Sequence, residues 1–348
     1  MEASDGGRWA VNRSRRRIPA LSVVLLGLLA LSVLGYTFLS RLRPVEKVAY
    51  GIMDTDVSIK AYGRNASSAI EAAIGEMRRL DGLFSAYDPN SEVFAININA
   101  GQKPVKVSHD TLYVVEKALD FASITQGAFD PTVLPVMSLW GFGQETMRVP
   151  SPQEISQALS LVDYTKVQVD RENSTVYITE KGMAIDLGGI AKGYAVDKMA
   201  EVMVSAGVNS FLINAGGNVY AGGRKPDRSN WRVAVTDPRD PEEYLGIIPA
   251  KDMAVVGSGD YQRFFTDNGV RYHHIIDPKT GYPVTGIRGT AVFLPSSTDA
   301  DGLSTSLFIL GPEAGALLLS KFEGAGAIYV MEDGNMVLQG IVDEFEFQ

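Results

Sequence analysis

Two short segments place side chains and glycines in spacings suited to phosphate and metal chemistry. In AIDLGGIAKGYAVD an apolar run ends at Asp186, Gly188 and Gly189 follow, and a helical pattern begins. Such a strand-to-helix turn presents free backbone N–H groups and the positive end of a helix, which suits a pyrophosphate. The same residues also suit a plain turn, in which Asp186 caps the helix and the glycines permit close packing. In ADGLST, Asp301 and Thr305 stand four positions apart and so share one helix face. A carboxylate with a hydroxyl is the oxygen-only ligation that Mg²⁺ prefers, completed by waters, phosphates or main-chain carbonyls. Neighbouring Asp299 would point roughly 200° around the helix from Asp301. Helix N-capping by Asp299 or Asp301 is the competing explanation, since D-x-x-x-T alone is common.

Histidine occurs three times, at His109, His273 and His274. The last two sit in an apolar strand pattern whose alternation sends them to opposite faces. One could then serve as a general base near neutral pH, and either could be a satisfied structural residue. The Gly-rich turns NAGGN (Asn214 to Asn218), GSGDY (Gly257 to Tyr261) and DPKTG (Asp277 to Gly281) bring backbone close to a ligand or simply turn a hairpin. No G-x-x-x-x-G-K-[ST] and no G-x-G-x-x-G opening a βαβ unit is present, so a nucleotide must be held another way. With no cysteine, zinc spacing is absent too, and the composition fits an exported domain.

The elements that would position these residues follow from periodicity. VAYGIMDTDVSIKAYG alternates as strands do, and SSAIEAAIGEMRRLDGLFSAY puts Ile70, Ile74, Met77 and Leu80 on one helical face, with Asp81-Gly82 as its expected stop. HDTLYVVEKALDFASITQG reads as a second helix, and SPQE at Ser151 opens a capped one. Strands are expected through KVQVDRENSTVYITEKGMAIDLGG, SFLINAGGNVYAGG, WRVAVTDP and the MAVVGSGDYQRFF and RYHHIIDPKTGYPV pair. Helices are expected at GIAKGYAVDKMAEVMVSAG and DADGLSTSLFILG. No repeat is visible, so the pattern predicts one integrated α+β unit.

The N-terminus differs in kind. Residues 18–40 carry no charge, long enough to cross a hydrocarbon core of roughly 30 Å as a helix. Its length exceeds a signal-peptide core and no small-x-small cleavage site follows Ser40, which predicts a retained transmembrane anchor. Five arginines precede it, and Arg41, Arg43 and Lys47 follow, a modest bias toward a cytoplasmic tail at 1–17 and an extracytoplasmic catalytic part. Residues 41–49 read as a linker and 50–348 as the domain. Net charge is −9 and the first 47 residues are basic, so the domain is strongly acidic and unsuited to nucleic-acid backbone.

Taken in order, the strings M-D-T at Met53, AYDPNSEV from Ala86, GAFDPTVLPVMSLWGFG from Gly127, DLGGIAKGYAVD, NAGGN, SGDYQRFF, HIIDPKTGYPV from His274 and ADGLSTSLFILG resemble the ApbE family of flavin transferases. The resemblance implies a T-fold-like α+β domain of mixed or antiparallel sheets with packed helices. It also implies an enzyme that cleaves FAD with Mg²⁺, esterifies FMN to a Thr or Ser hydroxyl of an acceptor protein and releases AMP. It assigns Mg²⁺ to Asp301, Thr305 and the Gly189 carbonyl. FAD contacts fall to Met53, Tyr87, Ala128, Phe129, Asp130, Asp186 and His274, with His274 also helping to deprotonate the acceptor. The acceptor is expected to be a membrane-associated redox protein.

The chain departs from the family pattern at three points: Asp54 and Leu134 stand where Gly is common, and Gly302 where Ala is frequent. Many relatives are lipoproteins, whereas this chain has no cysteine to carry a lipid. The acceptor pattern [ST]-G-A-[ST] after an upstream Asp is absent, so self-flavinylation is not expected. An FAD pyrophosphatase using water, and a non-catalytic FAD-binding protein, are the rival readings.

Overall fold

The computed structural model describes residues 43–143 and 146–348. The anchor expected at 18–40 and the basic tail before it lie outside the described residues. Strand β1 (Val45–Ile52) begins inside the stretch read as linker, because Val45 to Ala49 pair with β2 (Thr55–Ala61). The expected α+β class holds, and every strand pairing is antiparallel.

Small strands β3 (Val105–Lys106), β4 (Val167–Asp170) and β5 (Thr175–Ile178) form a three-stranded sheet. The main sheet adds β6 (Phe211–Ala215), β7 (Asn218–Gly222), β10 (Met253–Gly259), β13 (Ile287–Leu294), β14 (Gly326–Met331) and β15 (Met336–Gly340), in the order β1-β2-β6-β7-β10-β13-β14-β15. A second sheet of β8 (Trp231–Asp237), β9 (Asp240–Ala250) and β16 (Glu346–Phe347) accompanies it, and β11 (Phe264–Asp267) with β12 (Val270–His273) makes a separate hairpin.

Helices α1 (Ala66–Phe84), α2 (Glu92–Ile98), α3 (His109–Ile124), α4 (Leu134–Trp140), α5 (Pro152–Leu159), α6 (Ala191–Ser205) and α7 (Ser297–Leu319) complete the fold. The period-2 geometry of strands explains why the central ones read as unbroken apolar runs. In β13, Val292 and Leu294 join the core shared with α1, α6 and α7, while Ala291 and Phe293 join the core shared with Trp231, Val235 and Leu245 of the second sheet. Both faces are therefore dry, and the sheet is a middle layer.

Asp81-Gly82 does not stop α1, which continues to Phe84. Leu80 and Phe84 are four apart and both buried. Burying Phe84 gains about 1.5–3 kcal/mol against about 1 kcal/mol for an internal glycine. The SPQE signature is fulfilled by a capping box between Ser151 and Glu154. Helix α7 is long and apolar enough to cross a membrane by length and composition, but its first three turns are buried core and Gly311 (φ 73°) kinks it before Pro312. Gly302 has a packing reason: a Cβ there would lie 2.7 Å from the Phe121 ring. Phe121 in turn stacks on Phe322 and touches Phe129. Gly302→Ala should therefore lower stability by about 1–3 kcal/mol despite its better helix propensity. Calorimetry should find a smaller loss from that change in a Phe121→Leu background, because the two sites share the clash.

Candidate functional site

The two aspartates near the start of α7 have separate jobs, and neither caps the helix. Ser296 is the cap, its Oγ accepting the Asp299 N–H at 3.1 Å. Asp299 turns away to pair with Lys117 of α3 at 3.0 Å. Asp301, 4% exposed, points toward α6, where its Oδ2 accepts the Gly193 N–H at 2.8 Å. The helices meet so closely that a Cβ on Gly193 would lie 2.2 Å from the Ser297 carbonyl oxygen and 2.7 Å from Asp301 Cβ. Asp197 of α6 returns the contact, accepting the Ser297 and Thr298 N–H groups at 2.8 and 2.9 Å and the Thr298 hydroxyl. Burial pushes the Asp197 carboxyl up, against those same bonds.

That contact frees three oxygens. In an uninterrupted helix the Gly193 N–H would bond the Gly189 carbonyl. Here it goes to Asp301, and among the described residues the Gly189 carbonyl, Asp301 Oδ1 and Thr305 Oγ1 have no protein hydrogen bond. Ser304 takes the Asp301 carbonyl instead, at 3.0 Å. Gly189 and Thr305 are neighbours, since a Cβ on Gly189 would lie 3.6 Å from Thr305 Cγ2 and 2.9 Å from the Phe129 ring. This donor set of one carboxylate, one hydroxyl and one carbonyl fits Mg²⁺. Among the described residues no cluster of three His, Cys, Asp or Glu offers a richer site.

The Asp186 turn lies beside the 128–131 segment, its N–H donating to the Pro131 carbonyl at 2.8 Å. Asp186 does not cap α6. Its Oδ1 accepts the Gly188 N–H at 2.8 Å, and Ile190 occupies the cap position without a side-chain bond. Burial raises the Asp186 carboxyl, opposed by the Gly188 N–H, Lys192 and Arg263. Ala128 and Phe129 are buried. The Asp130 carboxylate is engaged internally, accepting from Thr132 N–H and hydroxyl at 2.8 and 2.6 Å and from Tyr164 N–H at 3.2 Å.

Strand β12 ends at His273, so the expected alternation through His274 does not hold. His273 is buried against Phe308 and bonds the Val284 carbonyl through Nε2 at 2.8 Å, the structural role. His274 leaves the strand and donates its N–H to the Arg263 carbonyl at 3.0 Å, with Nδ1 buried and unpartnered. Burial, then Arg263, His273 and Lys192, push the imidazole down to about 3. Met53 and Asp54 form the β1–β2 turn with φ of 51° and 56°. Asp54 reaches Arg263 at 3.5 Å, and Tyr87, 60% exposed, lies in electrostatic range of Asp186, Arg263 and Asp54.

Sequence reasoning missed Gly193, Asp197, Lys192 and Arg263. Lys192 carried a usable signal, as a cation in the first turn of the helix that follows the two glycines; its ammonium donates to the Gly188 carbonyl at 3.2 Å. Arg263 joins the site through its carbonyl, which accepts the His274 N–H, and its guanidinium, 3.5 Å from Asp54. Because the folded pKa of His274 is depressed below the usual 6.5, its neutral form stabilises the fold above that pH, and the stability is lost as pH falls toward 3. His274→Asn should flatten the fall in Tm between about pH 6 and pH 4 relative to wild type; identical curves would show that the histidine is not held neutral.

The chain has relatives among known proteins. The ApbE family model matches residues 53–329. The FAD:protein FMN transferase of Treponema pallidum is 34% identical over 312 residues, covering 84% of this chain and 86% of its own length. That of Haemophilus influenzae is 32% identical, covering 81% and 83%. The crystal structure of the ApbE protein from Thermotoga maritima superposes with a TM-score of 0.82 at 35% identity, covering 88% of this chain and all of that one. The apo flavinyl transferase ApbE of Pseudomonas stutzeri gives 0.77 at 29% identity, covering 87% and 97%. With the match spanning both the Asp186–Gly193 turn and the start of α7, the chain belongs to the ApbE family.

Proposed function

We propose that the protein is an FAD:protein FMN transferase that needs Mg²⁺, transfers FMN to a Thr or Ser hydroxyl of an acceptor protein and releases AMP. The observation that carries the reading is the trio of unclaimed oxygens at Gly189, Asp301 and Thr305, beside the glycine turn whose Lys192 also lies in electrostatic range of the buried His274. The relatives named FAD:protein FMN transferases support flavin as the substrate class.

Bound Mg²⁺ would offset charge on the phosphoryl oxygens in flight. Asp301 holds its carboxylate in place through Gly193, so the free oxygen needs no reorganisation. Lys192 and Arg263 supply cationic charge suited to the pyrophosphate. Phe129 and Tyr87 offer aromatic faces for a flavin or adenine ring, and Met53 stands at the β1–β2 turn, whose Asp54 lies in electrostatic range of Tyr87. The Asp130 carboxylate is already bonded, so this stretch would meet FAD through its backbone or the Phe129 ring.

In the step itself the acceptor oxygen attacks the FMN phosphorus. The P–O bond to AMP breaks, and the hydroxyl proton passes to His274. The imidazole is neutral and able to accept, and phosphate charge beside Arg263 and Lys192 would raise its basicity from the depressed value. We place the catalytic part outside the cytoplasmic membrane on the strength of the apolar 18–40 segment, with a membrane-associated redox protein as acceptor.

The test supplies purified protein with FAD, Mg²⁺ and candidate acceptors, and reads covalent flavin by in-gel fluorescence and mass. Asp301→Ala should abolish transfer, and His274→Ala should slow it by about 10²–10⁴-fold. FMN and AMP appearing without labelled acceptor would favour the pyrophosphatase; intact FAD would favour a binding protein.

A further inference from the structure

The main sheet and the second sheet fail to close over each other at one end. In β10 and β13 the residues facing the second sheet are paired in register as Val255 with Phe293, Gly257 with Ala291, and Gly259 with Gly289. Side-chain volume is present in the first pair and stripped from the next two. The Tyr261 ring covers Gly259, since a Cβ there would lie 2.2 Å from it, but a Cβ on Gly257 would meet nothing nearer than the Thr290 carbonyl at 3.6 Å. The result is a cavity of about 120 Å³. Its walls are apolar, with Val235, Leu245, Val255 and Ile328, and its polar margin is formed by Asn214, Thr236 and Gln262. An apolar cavity of roughly 150 Å³ in another protein takes benzene, so this one has room for a side chain of leucine size.

The polar margin connects directly with the site. A Cβ on Gly216 would strike Thr55, next to the Met53–Asp54 turn, and one on Gly217 would lie 3.7 Å from the Gln262 amide. Gln262 precedes Arg263, whose carbonyl holds the His274 N–H. On the other face of β10, Ser258 bonds Ser304 at 2.8 Å, one residue before Thr305. Through Gln262 the polar margin of the cavity adjoins Arg263, the residue whose carbonyl holds the His274 N–H. Resting on the transferase reading, we infer that it is a recognition pocket for the acceptor: it seats an apolar side chain one to three residues after the hydroxyl to be modified, while Asn214, Thr236 and Gln262 bond the adjoining backbone.

Peptides holding Ser-Gly-Ala-Thr after an upstream Asp, followed at those positions by Leu or by Ala, test this with FAD and Mg²⁺. Wild-type protein should favour a Leu-flanked peptide by about tenfold or more in kcat/KM, the worth of burying such a side chain. Gly257→Leu, and separately Ala291→Leu from the opposite strand, fill the cavity and should erase that preference. FAD affinity, read by flavin fluorescence, and thermal stability should stay near wild type. Two filling variants guard against misfolding of either one. No Leu preference in wild type, a preference that survives in the filled variants, or a parallel loss of FAD affinity would each overturn the pocket. Wild-type protein that cleaves FAD but labels no peptide or protein would overturn the transferase reading as well.

Discussion

The crossing of α6 and α7 at Gly193 is the constraint on which the site depends. Each helix leaves backbone N–H groups unsatisfied at its start, and each has them met by a carboxylate from the other, Asp301 toward Gly193 and Asp197 toward Ser297 and Thr298. Hydrogen bonds to charged groups contribute about 1.5–3 kcal/mol each and weaken steeply with distance. The exchange therefore requires near-contact of the two backbones, which only a glycine at 193 allows. The same exchange diverts the N–H that would have claimed the Gly189 carbonyl and immobilises one oxygen of Asp301 while leaving the other free. Fold stability and ligand geometry are thus set by a single contact.

Charge at the site runs against that of the chain. A net charge of −9 repels an anionic dinucleotide at long range, so binding must come from local groups. Lys192 and Arg263 stand near His274 and Asp186, and the cations that add to burial in keeping the imidazole neutral are the ones a phosphate would compensate. Proton affinity at His274 is thereby linked to the occupancy of its neighbourhood.

Local rules conveyed much of this before any coordinates. Helical angle put Asp301 and Thr305 on one face and Asp299 on another, and Asp299 is taken by Lys117. Alternation and turn chemistry located β1, β2, β4 to β8 and β10 to β12 and the capped helix at Ser151, but not β9 or β13 to β15. What stayed hidden were events between elements distant in sequence. Ser296 won the cap because Asp299 was drawn to α3 and Asp301 to α6. Gly193 looked like one more helical glycine until Ser297 was brought against it. His273 and His274 looked equivalent because strand periodicity does not say where a strand stops. The helix through Gly82 was misjudged because Phe84, two residues later, had a core to enter.

The β1–β2 turn carries the same lesson at higher resolution. A two-residue turn with both φ positive favours Asn or Asp followed by Gly. Met53 and Asp54 both hold positive φ here, a strained choice for a residue such as methionine. Asp54 gains an ion pair with Arg263 in return, but at 3.5 Å between side chains 83% and 46% exposed it is a weak one. A pyrophosphate, with twice the charge and twice the non-bridging oxygens of a carboxylate, would displace it readily. Because Arg263 also holds the His274 backbone, an anion that took the place of Asp54 would sit beside the buried imidazole.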